Sequence, residues 1–146
     1  MAILGLNINK MYIERKKNLE KGAQVNTNIK LLNVKEAKVK LGGNHKQGAL
    51  ISFEVKTEYS PDFAEIIISG NLVFSDEDEK KVSEAISYWE KEKKLPSDAS
   101  LEVYNAILRR VNIEALILAD RMKLPVPFKM PRFKKQEDEK SSEKKS

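Results

Sequence analysis

The stretch ALISFEVKTEY, residues 49–59, alternates apolar and polar side chains without interruption. Successive side chains of a β-strand point to opposite faces of a sheet, so this alternation predicts a strand with one buried face and one wetted face. The apolar phase consists of Ala49, Ile51, Phe53, Val55, Thr57 and Tyr59. Turn-forming residues follow at 60–62, and a β-branched, apolar run at 64–74 then predicts a second strand.

Two further strands are predicted upstream of this pair. Apolar residues recur at a spacing of two from Leu4 to Ile8 and change phase at Met11, which predicts a β-bulge near Asn9 and Lys10. A longer run from Val25 to Leu41 slips in the same way at 32–34. Because short links join the four strands in sequence, we expect an antiparallel meander.

After Ser75 the apolar period changes from 2 to 3.6, which predicts two helices. Ser75 is the expected N-cap of the first, the acidic residues at 76–79 suit the positive end of its dipole, and Pro96 ends it. The second helix is predicted from about Ser97 to Lys123. Its apolar surface is broad, which leaves two interpretations open: burial against its own sheet and another subunit, or deep burial in one core.

The predicted fold class is therefore α+β, with a four-stranded antiparallel sheet followed by two helices. Residues 1–133 are expected to form one domain, whose last ten residues contain three prolines and cannot be helical. Residues 134–146 contain only charged residues, Gln and Ser, which predicts a disordered tail.

Composition removes most enzyme classes. The chain has no Cys, so disulfides, thiol catalysis and thiolate zinc sites are excluded. The single His45 lies in a glycine-rich loop, and no Gly-x-Ser-x-Gly motif is present to hold a nucleophile. We therefore expect no catalytic residue, no metal and no cofactor. Uncharged stretches reach only about ten residues, against the ~20 that a membrane helix needs, and the N-terminus lacks signal-peptide features, which predicts a cytoplasmic protein.

A basic surface is the second functional hypothesis. The 27 Lys and Arg exceed the 22 Asp and Glu, and Arg15, Lys16, Lys17 and Lys21 are concentrated in one short segment. Clustered cations neutralise phosphates, which is typical of RNA- or ribosome-associated proteins. The strand aromatics share the apolar phase, however, so they are not placed to stack on bases.

The order of four strands, two helices, a proline-rich apolar segment and a charged tail resembles the SecB family of export chaperones. Residues 6–12, LNINKMY, have the same alternation as the first strand of that family. Residues 105–133 are similar to its apolar and basic helix followed by a proline-containing segment. The resemblance implies an ATP-independent holdase, a homotetramer built as a dimer of dimers, whose apolar grooves hold unfolded, nascent or preprotein polypeptides.

The resemblance also implies where a client polypeptide would lie. The groove residues carried over from the family are Leu6, Ile8 and Tyr12 of the first strand and Leu124, Val126, Phe128 and Met130 after the long helix. Met11 is added because flexible methionine side chains adapt to varied partners. Arg15 stands where family members that dock on the SecA motor are usually acidic, which argues against binding to SecA.

Overall fold

The fold is described from a computed structural model of the 146-residue chain, which describes residues 2–17 and 24–127. The elements are β1 (Ala2–Arg15), β2 (Gln24–Leu41), β3 (Asn44–Ser60), β4 (Ala64–Ser75), α1 (Glu79–Glu92) and α2 (Ser97–Arg121). The predicted α+β class, with four antiparallel strands followed by two helices, is confirmed. The predicted tail at 134–146 lies outside the described residues.

The predicted meander is wrong for the first strand. The strand order is β1-β4-β3-β2, so β2, β3 and β4 form a meander while β1 pairs with β4 at the far edge. This is a Greek-key arrangement. Alternation in a sequence shows which face of the sheet a residue occupies but not which strand is the partner. The expectation that strands joined by short links pair in sequence therefore gave β1 the wrong neighbour.

The phase changes in the sequence are β-bulges in the structure. In β1, Ile8 pairs with Gly70 and Lys10 pairs with Ser69, so Asn9 is the extra residue at the predicted position. A second irregularity between Ile3 and Gly5 was not predicted. In β2 the register shifts between Leu31 and Asn33, which agrees with the predicted slip at 32–34.

Both helices cover one face of the sheet. α1 contacts β3 and β2, whereas α2 contacts β1 and β4. The whole apolar phase of β3 is buried beneath them, as the alternation predicted. The helices add buried side chains to the hydrophobic core: Val82, Ala85 and Trp89 from α1, and Ala99, Val103, Ile107, Val111, Ala115 and Ala119 from α2. The remaining face of the sheet, called here the outer face, carries no element among the described residues.

The first helix begins three residues later than expected. Ser75 is the last residue of β4 and is buried between Ala2 of β1 and Gly48 of β3, so it is unable to act as the N-cap. Asp78 has this role instead: its Oδ1 accepts a hydrogen bond from the backbone N–H of Lys80 at 3.0 Å.

The broad apolar surface of α2 is only partly buried, which decides between the two interpretations given for it above. One stripe of small and β-branched residues is buried on the sheet, whereas Leu101, Ile113 and Ile117 are exposed. Deep burial of the entire apolar surface in one core is therefore wrong for the chain taken alone. The exposed residues leave part of α2 available for another molecule.

Candidate functional site

A groove lies between β1 and α2, on the helix-covered face of the sheet, along the edge that β1 forms. Its volume is about 640 Å³. It is lined by Ile3, Leu6, Glu102, Asn105, Ala106, Arg109, Arg110 and Ile113. Since β1 is an edge strand and α2 is not covered at this point, the groove opens to solvent along one side of the molecule.

The helix supplies most of this lining because of its periodicity. Positions 102, 106, 109 and 113 follow one another at steps of three or four, as do 106, 110 and 113, so all five lie on one side of α2. This side flanks the buried stripe, so these side chains lie beside the sheet and not on top of it. From β1, Leu6 pairs with the fully buried Leu72 of β4 and is thereby directed to the helix-covered face.

The lining combines an apolar part with a polar part. Ile3, Leu6, Ala106 and Ile113 are apolar, and Ile113 is 55% exposed. A large aliphatic side chain this exposed has apolar area to bury against a ligand. The groove therefore combines apolar area with charged and polar side chains.

The polar residues of the groove differ in their partners. Arg110 donates from Nη1 to Oε1 of Glu114 at 2.6 Å, one turn further along the helix. Within the part of the chain that the structure describes, neither Glu102 nor Arg109 forms an ion pair. Two uncompensated charges of opposite sign therefore line the groove beside its apolar side chains.

The predicted residues of the first strand lie on two different faces. Leu6, Ile8 and Met11 are directed to the helix-covered face, and Met11 is 51% exposed. Tyr12 pairs with Ile67 on the outer face, where its hydroxyl donates a hydrogen bond to Glu14. Of these four residues, Leu6 lines the groove, and Tyr12 belongs to a different surface.

The predicted residues after the long helix are held against the end of the sheet. Leu124 is only 8% exposed, and its backbone N–H donates to the carbonyl of Ala119 at 2.8 Å. The hydroxyl of Tyr59 donates to the carbonyl of Pro125 at 2.7 Å, and burial raises the pKa of Tyr59 to about 12. Val126 is exposed. The predicted residues Phe128 and Met130 lie outside the described residues.

The basic cluster is engaged within the molecule. The guanidinium of Arg15 donates to the carbonyl of Met122 at 3.2 Å, and Nζ of Lys16 lies 2.8 Å from Oδ1 of Asp62. This ion pair raises the pKa of Lys16 and lowers the pKa of Asp62. Nζ of Lys17 lies 5.8 Å from the centre of the Phe63 ring. The fourth predicted member, Lys21, lies outside the described residues.

The outer face carries negative charge at this same end of the sheet. Glu14, Glu65 and Glu58 occupy directly opposite positions on β1, β4 and β3. Their main compensation is Lys56, whose Nζ is 2.9 Å from Glu58 and 3.8 Å from Glu65. Counting charges along the chain did not reveal this row, because its members come from three separate strands.

Sequence reasoning missed most of the groove. A signal was present: Ala106, Ile113 and Ile117 form a second apolar stripe on α2, separate from the buried one, and Arg109 and Arg110 interrupt it. Two apolar stripes on one helix indicate two packing partners. From the sequence alone the two stripes were interpreted as one broad apolar surface, and the irregularity between Ile3 and Gly5 was not predicted.

Known proteins resemble this chain in structure and not in sequence. No family model matches the chain, and no curated protein matches it. Among solved structures, the chain is similar to the Mycobacterium tuberculosis SecB-like chaperone Rv1957, determined in complex with a ChAD peptide from the antitoxin HigA1. The identity is 9%, the TM-score is 0.50, and the match covers 92% of this chain and 91% of that chain. The fold is therefore SecB-like.

None of the helices in 2–17 and 24–127 is both long and apolar enough to cross a membrane. Over the same ranges, no group of three or more His, Asp or Glu side chains is arranged to hold a metal ion.

Proposed function

We propose that this chain is a chaperone that works without ATP and without catalysis, holding unfolded polypeptide in the groove between β1 and α2. The observation that carries the proposal is the solvent-exposed apolar lining of that groove, above all Ile113. The SecB-like fold supports it, because the similar chaperone was solved with a peptide bound.

The geometry suits a ligand of variable sequence. The groove is bounded by an edge strand and one side of a helix, so an extended segment of any length is able to lie along it. Burial of apolar surface is non-directional, so many sequences satisfy it, unlike a set of buried hydrogen bonds. Leu6 at the strand side and Ile113 at the helix side would contact the same apolar client side chain.

We further propose that the chain assembles into a homotetramer. Leu101 is 65% exposed and Ile117 is also exposed, so α2 retains apolar area that its own sheet does not cover. Large apolar side chains left exposed in this way are available for contact with another chain. Both the groove and this surface belong to α2, so client binding and assembly would use neighbouring parts of one helix.

The test is an aggregation assay with Ile113→Asp. An unfolding client protein is mixed with the wild-type chain or the variant, and light scattering by the aggregating client is followed. We expect the wild type to suppress aggregation and Ile113→Asp to lose most of that suppression, because a carboxylate in the groove opposes burial of apolar client residues. Ile113 is exposed, so the substitution leaves the core intact.

The matched control is Leu32→Asp. Leu32 is similarly exposed but lies on β2, at the opposite edge of the sheet from the groove. The mass of each variant is measured by light scattering on the same samples, so that a loss of assembly is distinguished from a loss of client binding in the groove. Suppression by Ile113→Asp equal to that of the wild type and the control would contradict the proposal. Leu124→Asp is not a suitable test, because Leu124 is part of the core.

The competing class, an RNA- or ribosome-associated protein, differs in its response to salt. Phosphate binding falls steeply as salt rises, whereas binding of apolar segments persists or strengthens. The described members of the basic cluster hold the end of the sheet together, which favours a structural role. Suppression of aggregation that is maintained at 0.5 M NaCl, about five times a common buffer concentration, would support the chaperone over the RNA-binding class.

A further inference from the structure

We infer that the groove selects client segments that carry one acidic and one basic side chain on either side of an apolar residue. This inference rests on the proposed function and adds to it a charge preference. It follows from the two uncompensated charges in the lining, Glu102 and Arg109, and from the apolar side chains between and beside them.

The two charges are separated along the helix. Glu102 and Arg109 are seven positions apart on α2, which corresponds to about 10 Å at ~1.5 Å per residue. Ala106 lies between them on the same side of the helix, and Leu6 of β1 completes the apolar lining. A ligand therefore meets a carboxylate at one end, an apolar stretch in the middle and a guanidinium at the other end.

An extended polypeptide matches this spacing. A strand rises about 3.3 Å per residue, and residues at positions 1, 3 and 5 of a segment lie on one face. Charged side chains at positions 1 and 5 are about 13 Å apart at the backbone, and their length allows them to reach charges 10 Å apart. An apolar side chain at position 3 would then lie over Ala106, with its cationic neighbour at Glu102 and its anionic neighbour at Arg109.

The remaining arginine of the lining does not provide a second anion site of equal strength. Arg110 is already paired with Glu114 at 2.6 Å, so a client carboxylate would have to compete with an existing partner. Arg109 has no such competitor among the described residues. A guanidinium also binds a carboxylate through two parallel hydrogen bonds, which makes Arg109 well suited to an acidic client side chain.

The test uses three labelled peptides with the same apolar sequence and different residues at positions 1 and 5. One peptide carries Glu and Lys, one carries two Glu, and one carries two Lys. Their affinities for the wild type, Glu102→Arg, Arg109→Glu and the double variant are measured by fluorescence anisotropy at low salt. Low salt is required because these charges are exposed and are screened at high ionic strength.

We expect the wild type to bind the mixed peptide about threefold more tightly than either other peptide, the size expected for one exposed ion pair. Arg109→Glu should prefer the two-Lys peptide, and Glu102→Arg should prefer the two-Glu peptide. The double variant has the net charge of the wild type with the two charges exchanged. It should again prefer the mixed peptide, because an extended segment is able to bind in the reverse direction.

The outcomes separate this inference from the proposed function. Equal affinity of the wild type for all three peptides, or preferences that do not follow the charge reversals, would overturn the charge preference. If binding were then still abolished by Ile113→Asp, the apolar groove would stand without it. If the wild type bound none of the peptides, or if Ile113→Asp bound them all unchanged, the groove assignment itself would fail together with the inference.

Discussion

Gly70 permits the close approach of β1 to β4. A Cβ atom at this position would lie 2.0 Å from the carbonyl oxygen of Asn7 and 3.0 Å from Cα of Ile8. Both are backbone atoms of β1, next to the bulge at Asn9, so a side chain would force the strand to shift. The absence of a side chain at Gly70 is therefore a condition for the edge pairing that forms one side of the groove.

We predict that Gly70→Ala lowers the free energy of unfolding by about 3 kcal/mol, the upper range for inserting an atom into a packed site. Chemical denaturation measures this change. Gly5→Ala is the matched control, because nothing lies within 4 Å of the added Cβ there. A loss at Gly70 no larger than at Gly5 would mean that β1 adjusts freely at the bulge.

Tyr59 links the centre of the sheet to the segment that follows α2. Its ring is fully buried, and its hydroxyl donates to the carbonyl of Pro125. We predict that Tyr59→Phe costs about 1 kcal/mol at neutral pH, the usual net value of one hydrogen bond. Tyr88→Phe, on the exposed side of α1, should have no measurable effect on the same denaturation curve.

The same residue predicts a change of stability with alkaline pH. Burial raises the pKa of Tyr59 to about 12, above the value near 10 of a tyrosine in an unfolded chain. The unfolded state therefore loses the phenolic proton first, and stability falls as the pH rises from about 10 towards 12. The free energy of unfolding of Tyr59→Phe should be less dependent on pH over this interval. Parallel curves for both proteins would show that Tyr59 is exposed to solvent.

At the scale of elements, α2 lies close to the sheet because its buried stripe is made of small and β-branched residues. Ala99, Ala115 and Ala119 are all buried, and successive members of the stripe are four residues apart. A larger side chain here would push the helix away from β1 and β4. Because the groove lies beside this contact, its width depends on the small size of those residues.

We predict that Ala119→Leu destabilises the protein by about 2 kcal/mol through overpacking. Asp120→Leu introduces the same side chain at the next position, which is exposed, and should change the free energy of unfolding by less than about 0.5 kcal/mol. Thermal unfolding of the two variants gives the comparison. Equal transitions would indicate that the helix moves out of the way without cost.

The same elements define how far the sequence predicts the structure. The strands, both helices and the bulge at Asn9 were predicted from periodicity, because an element with one buried face repeats its apolar residues at its own structural period. The pairing of β1 with β4 did not follow, since partner choice depends on contacts between residues about 50 to 70 positions apart in the chain. The resemblance to the SecB family indicated Leu6, which lines the groove, but not the groove residues of α2, and it did not reveal that Leu124 is buried.

At the scale of the whole molecule, the proposal of a tetramer makes a direct prediction. Light scattering should give a mass of about 67 kDa, corresponding to four copies of the 16.7 kDa chain. Apolar contacts between copies should make this mass insensitive to salt. A mass near that of one chain at micromolar concentration would contradict the assembly, and it would leave the exposed apolar residues of α2 to the client alone.

The Greek-key order has a consequence during synthesis. On the ribosome β1 is made first, yet its partner β4 appears only some 50 residues later, a delay of about 3 to 10 s at 5–20 residues per second. Throughout this interval the nascent strand, with Ile3, Leu6 and Ile8, has no sheet to join, whereas β2 and β3 are able to form their hairpin at once. A protein that we propose to hold the unfolded chains of other proteins therefore exposes an unpaired apolar strand of its own during synthesis.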